Sequence, residues 1–152
     1  MKVVNRRALH DYQVLETFQT GIVLIGPEVK SVRGGKISLE GSFVKIIGSE
    51  IYLLNAQIFP YPYARPPAGG YDPKRTRKLL MHKREIISLK TKLSSAELTL
   101  VPLECYNSEG LFKLTIALAR GKKEYQKREK LRRRAIDRET ERELKSHLPT
   151  KD

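Results

Sequence analysis

The last part of the chain, from Arg120 onward, favours a helix but offers no apolar face for that helix to bury. Glu, Lys, Arg, Leu and Ala dominate it, and opposite charges lie three or four residues apart. Its large apolar residues do not recur as a continuous stripe; they are Tyr125, Leu131, Ile136, Leu144 and Leu148. Such a helix is marginal alone and is ordered by a charged partner, so we expect the hydrophobic core within residues 1–119.

Charge is concentrated in the same segment. The chain carries 30 Lys and Arg against 17 Asp and Glu, a net charge of +13 over 152 residues. Residues 120–152 hold 13 of the basic and 7 of the acidic side chains, including the run Arg132-Arg133-Arg134. Clustered basic charge attracts polyanions, although a tail that only improves solubility fits the same composition. The length suits one domain, residues 1–119, followed by a basic tail, residues 120–152.

The first 119 residues carry strand and turn signals typical of a mainly β domain. Two hairpins are predicted, one around Gly48-Ser49-Glu50 and one at the turn sequence NSEG. Residues 59–73 hold five prolines and two adjacent glycines, so they predict a long exposed loop. The other predicted elements are a strand from Tyr12 bent near Gly21, and a short helix that begins at Pro27 and ends at Gly34-Gly35.

A second helix is predicted over residues 74–93. Asp72 and Pro73 provide a start signal, and Leu79, Ile86 and Leu93 recur every seven residues. Leu80 and Ile87 lie beside this stripe, and the helix can break near His82. Five or six strands with short helices and a basic surface favour a small closed barrel of the oligonucleotide-binding type. A sandwich or another α+β arrangement fits the same pattern.

Signals for catalysis, metals and membranes are weak. Cys105 is the single cysteine, which excludes a disulfide framework and predicts a small buried strand residue. The three histidines, at 10, 82 and 147, lack metal-ligand spacing, and His10-Asp11 lacks a nucleophile. We therefore expect no cofactor, no metal and no enzymatic activity; an RNA-modifying enzyme would need a site that we do not find. The chain also lacks a signal peptide and a membrane span, which predicts a cytoplasmic protein.

Basic residues within the domain indicate contact with nucleic acid phosphates. One cluster contains Arg6 and Arg7. The other lies on the predicted second helix and contains Lys74, Arg75, Arg77, Lys78, Lys83 and Arg84. Unpaired RNA bases also need flat rings on which to stack, and the candidates for that role are His10, Tyr12, His82 and the loop tyrosines.

Several motifs in order make the chain resemble a known family. They are NRRALHDY, GPEVKSVRGGK, DPKRTRKLLMHKREI, LTLVPLECY and LARGKKEYQKR. Over residues 5–145 the chain is similar to the SmpB family, the SsrA-binding proteins of bacterial trans-translation. The resemblance implies an oligonucleotide-binding-like closed β-barrel of about six antiparallel strands with short peripheral helices. It also implies a C-terminal tail that is disordered in isolation and helical when bound.

The resemblance also implies site residues. Leu80 is expected to pack beneath the RNA-binding surface, and Gln19 stands where many relatives have Glu. The residues expected at that surface are Asn5, Arg6, Arg7, His10, Gln19, Lys36, Leu80, His82 and Lys83. The residues expected to bind the ribosome are Lys122, Lys123, Tyr125, Lys127, Arg128, Arg132, Arg133 and Arg134. Gln126 lies among them, where many members have Asp.

The implied function is ribosome rescue. A family member binds the tRNA-like domain of transfer-messenger RNA (SsrA) and delivers it to ribosomes stalled on messages without a stop codon. Its tail enters the empty mRNA channel beside the decoding centre of the small subunit. Elongation factor Tu with GTP and alanyl-tRNA synthetase are indirect partners through the RNA, no membrane is involved, and a monomer is expected. The alternative from the residues alone is a generic single-stranded nucleic-acid-binding barrel of the cold-shock type.

Overall fold

The chain divides into two compact units, Met1–Gly121 and Lys122–Asp152. The computed structural model describes residues 1–63, 65–67, 69–94 and 97–147, and the side chains in these ranges other than 123–132, 146 and 147. The first unit holds every strand of the described residues, and the second holds a single long helix. The β-rich part of the chain is therefore separate from the basic segment.

Strands dominate the first unit. They are β1 (Lys2–Val4), β2 (Tyr12–Ile22), β3 (Ile37–Ser38), β4 (Phe43–Ile47), β5 (Glu50–Leu54), β6 (Gln57–Ile58), β7 (Arg77–Leu80), β8 (Leu98–Ser108) and β9 (Leu111–Gly121). The helices are α1 (Arg6–Asp11), α2 (Gly26–Arg33), α3 (Lys83–Leu93) and, in the second unit, α4 (Lys123–His147). The predicted fold class, mainly β with short helices, is confirmed.

Six antiparallel strands close into a ring. Their order is β8-β4-β5-β7-β2-β9, and the pairing of β9 with β8 closes the ring. Strand β1 extends the sheet at β8, while β3 and β6 form a separate two-stranded sheet. Because β2 and β9 are both 11 residues long and pair over almost their whole length, they form a long continuous wall of the ring.

Apolar side chains from the ring and from two helices fill one core. Leu89 of α3 and Val32 of α2 are fully buried there with residues of the ring strands. Cys105 of β8 is buried and free, as the sequence predicted, and burial raises the pKa of its thiol to about 11. The main strand residues of the core are Ile51, Leu53, Leu79, Leu100, Leu114 and Ile116.

Both predicted hairpins are confirmed. Gly48 connects β4 to β5 with a positive φ of 65°. Glu109 and Gly110 connect β8 to β9, and both have a positive φ, as a tight two-residue turn requires. The predicted bend of β2 near Gly21 corresponds to a change of partner, because Gly21 pairs with Lys113 of β9 and with Leu80 of β7. The shift in register of β2 lies earlier, between Val14 and Glu16.

The prediction of a helix over residues 74–93 is wrong for the first half of that range. Residues 77–80 form β7, and α3 begins only at Lys83. Burial alternates along this segment, with Arg77 and Leu79 inside and Lys78 and Leu80 outside, which is the period of a strand. The seven-residue spacing of Leu79, Ile86 and Leu93 is therefore a coincidence, because Leu79 lies in a strand and the other two residues lie in a helix. Ile87, expected in the core-facing stripe, is exposed instead.

A buried ion-pair cluster joins α2 to the segment before and within β7. Glu28 Oε2 accepts from Arg77 Nε at 2.8 Å, and Glu28 Oε1 accepts from Arg75 Nη2 at 2.7 Å. Arg77 also donates to the carbonyl oxygens of Ala56 and Pro73. The assignment of Arg77 to a phosphate-binding cluster is therefore wrong, because its guanidinium is fully buried and its donors are used internally.

Several contacts keep the Glu28 carboxylate of this cluster ionised. Burial alone would raise the pKa of Glu28, but hydrogen bonds from Arg75 and from the Ile25 N–H, with the charge of Arg77, lower that pKa below its ordinary value. Glu28 is thus an ionised group inside the protein. Breaking one partner of such a pair leaves an uncompensated buried charge, which is strongly destabilising.

Candidate nucleic-acid interface

An open depression lies where β2, β7 and the start of α3 meet. It has a volume of about 380 Å³ and is lined by Gln19, Leu80, Met81, His82 and Glu85. We call it the Gln19 depression. Pairing of Gly21 with Leu80 sets β2 beside β7. Gln19 and Leu80, which are 61 positions apart in sequence, therefore share one surface. The structure therefore brings together three residues of the predicted RNA-binding set, namely Gln19, Leu80 and His82.

His82 gives the Gln19 depression a flat, exposed ring. It is the residue before α3, its side chain makes no capping hydrogen bond, and its imidazole is exposed. Lys83 and Arg84 follow in the first turn of α3 and are also exposed. A ring that can stack and two cations that can meet phosphates thus lie in three consecutive residues.

Leu80 is the one predicted site residue in this depression whose placement differs from expectation. The sequence analysis expected it to pack beneath the surface, but 54% of the residue is exposed. The reason is strand alternation: Leu79 points into the core, so Leu80 must point outward. An exposed leucine beside an exposed histidine suits contact with the face of a base rather than core packing.

The remaining predicted surface residues do not join the Gln19 depression. Arg6, Arg7 and His10 lie on α1, just before β2, and we call them the α1 cluster. Gln19 lies seven positions along β2 from Tyr12, which corresponds to about 20 Å. The predicted RNA-binding residues therefore form at least two separate surfaces rather than one.

Internal partners occupy part of the α1 cluster. Arg7 Nη1 lies 2.7 Å from Glu40 Oε1, and His10 Nδ1 lies 3.1 Å from Asp11 Oδ1. Both are exposed ion pairs or hydrogen bonds, which exchange readily with a stronger anionic partner. The cluster can consequently meet phosphates after its side chains rearrange.

Asn5 lies inside the protein, unlike the surface position that the sequence analysis expected. Its Nδ2 donates to the carbonyl oxygens of Leu39 and Pro102, at 3.1 and 2.9 Å, and its Oδ1 accepts from the Ala8 N–H. These bonds fix the start of α1 against the ring. Asn5 thus positions the α1 cluster.

Lys36, another predicted RNA-binding residue, follows α2 and is exposed. Its carbonyl oxygen accepts from the Phe59 N–H.

Comparison with known proteins places this arrangement in a family. A model of the SmpB protein family matches residues 2–146 of the chain. The chain belongs to the SmpB family. Among curated relatives, the SsrA-binding protein of Streptococcus mutans is 45% identical over 141 residues, which cover 93% of this chain and 90% of the relative. The SsrA-binding protein of Pelotomaculum thermopropionicum is 46% identical over 150 residues, which cover 97% of each chain.

A solved structure is similar as well. It is described as "tmRNA-SmpB: a journey to the center of the bacterial ribosome", and its matching chain is 48% identical with a TM-score of 0.68. The match covers 85% of this chain and 90% of the other. The resemblance to the SmpB family that the motifs predicted is therefore confirmed over almost the whole chain.

The basic tail of this SmpB-family chain is helical over Lys123–His147. Lys122 precedes the helix and is exposed, as is Arg134, while Arg133 is half-buried. Of the α4 side chains described, Thr140 is buried and no apolar one is. The predicted ribosome-binding side chains of Lys123, Tyr125, Lys127, Arg128 and Arg132 lie outside the described residues, as does that of Gln126.

Two residues of the Gln19 depression, Met81 and Glu85, were not predicted. Met81 follows β7 and Glu85 lies in the first turn of α3, on either side of His82. The predicted helix break near His82 could have indicated both residues, because they lie on either side of it. In the part of the chain that the structure describes, no three metal-ligating side chains gather, and no helix has the length and apolar character to cross a membrane.

Proposed function

We propose that this SmpB-family protein binds the tRNA-like domain of transfer-messenger RNA and delivers it to stalled ribosomes for rescue and peptide tagging. The observation that carries the proposal is the Gln19 depression, where an amide, an apolar side chain, an exposed imidazole and adjacent cations share one surface. The names of the curated relatives, SsrA-binding proteins, and the tmRNA-SmpB structure support the same RNA.

The physical character of the Gln19 depression suits a folded RNA. It is open, and Gln19, His82 and Glu85 are its hydrogen-bonding residues beside the apolar Leu80 and Met81, so it selects by shape, backbone charge and one or two stacked bases. Lys83 and Arg84 supply phosphate contacts, which set affinity and orientation without reading sequence. The α1 cluster lies too far along β2 for the same nucleotide, so it contacts a second stretch of the RNA backbone.

The tail acts on the ribosome in this proposal. A cationic helix in which none of the described apolar side chains is buried can enter a channel whose walls are RNA, since its side chains meet phosphates there. Lys127 and Arg128 contact the decoding centre, and the Arg132-Arg133-Arg134 run contacts the empty mRNA channel. The two proposed roles divide between residues 1–121, which end with β9, and the tail that follows.

The other partners follow from the RNA. Elongation factor Tu with GTP and alanyl-tRNA synthetase act through transfer-messenger RNA and not through a site on this chain. The protein is proposed to work as a cytoplasmic monomer and to have no catalytic activity of its own. A cold-shock-type protein for unstructured single strands is not favoured, because the SmpB family model spans residues 2–146.

Binding at matched salt tests this function. The full chain is titrated against the tRNA-like domain of transfer-messenger RNA and against an unstructured RNA of equal length at about 150 mM salt. We expect the folded RNA to bind at least about 100-fold more tightly. Similar affinities for the two RNAs would replace the proposal with the cold-shock-type alternative.

A further inference from the structure

A second depression shares Leu80 with the Gln19 depression. We call it the Leu111 groove; it has a volume of about 310 Å³ and is formed by the end of β2, α2 and the β8–β9 hairpin. This volume is at the low end of the range of about 300–1,000 Å³ for pockets that hold small ligands. Its apolar walls come from Leu24, Leu80, Leu111 and Phe112.

Two of the four apolar wall residues of the Leu111 groove are unusually exposed, while Leu24 and Phe112 are half-buried against the core. Leu111 is 65% exposed at the first position of β9, and Leu80 is more than half exposed. The tight turn at Glu109 and Gly110 fixes the hairpin end, so Leu111 is held at the surface by a rigid element. Contiguous exposed apolar side chains of this kind mark interaction sites.

Gly21 determines how the two depressions meet. It pairs with both Leu80 and Lys113, and a Cβ at this position would lie 3.3 Å from Leu80 Cβ. The absence of a side chain lets Leu80 stand against the backbone of β2. Leu80 consequently lines both the Gln19 depression and the Leu111 groove.

The rim of the Leu111 groove is cationic. Arg33 at the end of α2 and Lys113 of β9 line it, and no Asp or Glu is found among its lining residues in the described part of the chain. Apolar walls with cations at the edge match a nucleotide, whose base offers an apolar face and whose phosphate is anionic.

We propose that the Leu111 groove holds an unpaired nucleotide of the same RNA that occupies the Gln19 depression, with Leu80 between two successive contacts. The base lies against Leu80, Leu111 and Phe112, and its phosphate meets Arg33 or Lys113. This inference rests on the proposed function, because continuity through Leu80 is the reason for choosing RNA over a protein segment. Gly21 acts as a positioning residue for both contacts.

Crosslinking tests the occupant directly. The full chain carrying Leu111→p-benzoylphenylalanine is bound to the tRNA-like domain of transfer-messenger RNA and irradiated, and crosslinked nucleotides are mapped by reverse transcription. A matched control carries the same group at Leu15, which is 47% exposed on β2 outside both depressions. We expect a crosslink to an unpaired nucleotide from position 111 and none from position 15. A complex that forms without a crosslink from 111, or a crosslink from 111 to protein, overturns the inference.

Affinity provides a second, independent readout. Leu111→Ala should weaken RNA binding about 3- to 10-fold, whereas Leu15→Ala should change it less than about twofold. Arg33→Gln should also lower the slope of log K against log salt by about 1. Unchanged affinity for Leu111→Ala, with wild-type binding intact, overturns the inference alone. A wild-type chain that does not bind this RNA overturns the proposed function as well.

Discussion

The two units of the molecule are stabilised in opposite ways. In Met1–Gly121, strands close a ring around a core in which residues such as Ile51, Leu53 and Leu114 are fully buried. In α4, none of the apolar side chains described is buried, and the helix carries mainly charged residues. The first unit can therefore present a fixed surface to RNA, whereas the tail depends on charged surroundings for its contacts.

Only one of the two units needs to be rigid for its role. Recognition of a folded RNA requires groups held at fixed positions, and Gln19, Leu80 and His82 are held by two paired strands and the start of a helix. A tail that enters a channel must instead avoid packing on its own domain.

The first prediction concerns the stability of the ring. Arg77→Met should lower the free energy of unfolding by about 3–5 kcal/mol, because Glu28 keeps its buried charge and loses the fully buried one of its two arginine partners. Urea unfolding followed by circular dichroism measures it. Lys78→Met is the matched control: Lys78 lies on the same strand and pairs with Glu50 at 3.1 Å in solvent, so its loss should cost about 0–1 kcal/mol. Equal losses for both variants would contradict the assigned role of the cluster.

The same cluster predicts a pH dependence. The folded pKa of Glu28 is lowered, so its contribution to stability is fully present above the ordinary Glu pKa of about 4.3 and is lost as pH falls through the lowered folded value. Urea midpoints between pH 7 and pH 3 should therefore fall less steeply for Glu28→Gln than for the wild-type chain, although this variant starts from lower stability. Parallel pH profiles would show that Glu28 does not titrate in this way.

The RNA-binding side is tested at His82. His82→Ala should weaken binding to the tRNA-like RNA by about 1–3 kcal/mol, the usual contribution of one stacked base. His82→Tyr should retain most of the affinity, because a tyrosine ring stacks as well and His82 makes no capping bond that would be lost. Fluorescence anisotropy measures both. If the alanine variant binds like wild type, His82 belongs to the scaffold only.

The smallest effect is expected when tail cations are removed. Replacing Lys127 and Arg128 by Ala should change RNA affinity and the stability of the ring by less than about 0.5 kcal/mol, because we assign both cations to the ribosome and not to the ring or its RNA-binding surface. The same variant should accommodate poorly on stalled ribosomes, which a peptide-tagging assay measures. A loss of RNA affinity as large as that of His82→Ala would move part of the RNA site into the tail.

The sequence predicted elements whose signals are local. The hairpin turns at Gly48 and at Glu109-Gly110 need positive φ angles, and short turn sequences reveal that need. The C-terminal end of α2 was equally visible, because Gly34 and Gly35 follow it. Strands β1, β3 and β6 were missed because two or three residues are too few to show a period.

Long-range features could not be predicted. Arg77 looks like a surface residue in sequence, and its partner Glu28 lies 49 residues away. Leu79 and Leu80 are adjacent apolar residues, and the alternation of a strand decides which of them is buried. The apparent heptad through Leu79 and Ile86 hid that alternation. The Gln19 depression was predicted in part, since three of its five residues came from the family resemblance.

The central claim is that residues 1–121 bind the RNA and that the tail acts only on the ribosome. Truncation after Gly121 keeps the last pair of β2 and β9, Tyr12 with Gly121, and so leaves the ring complete. The truncated and full chains are compared in one experiment that measures affinity for transfer-messenger RNA and tagging of a stalled nascent peptide. We expect the truncated chain to bind within about threefold of the full chain and to lose tagging. Equal loss of binding and tagging would contradict it.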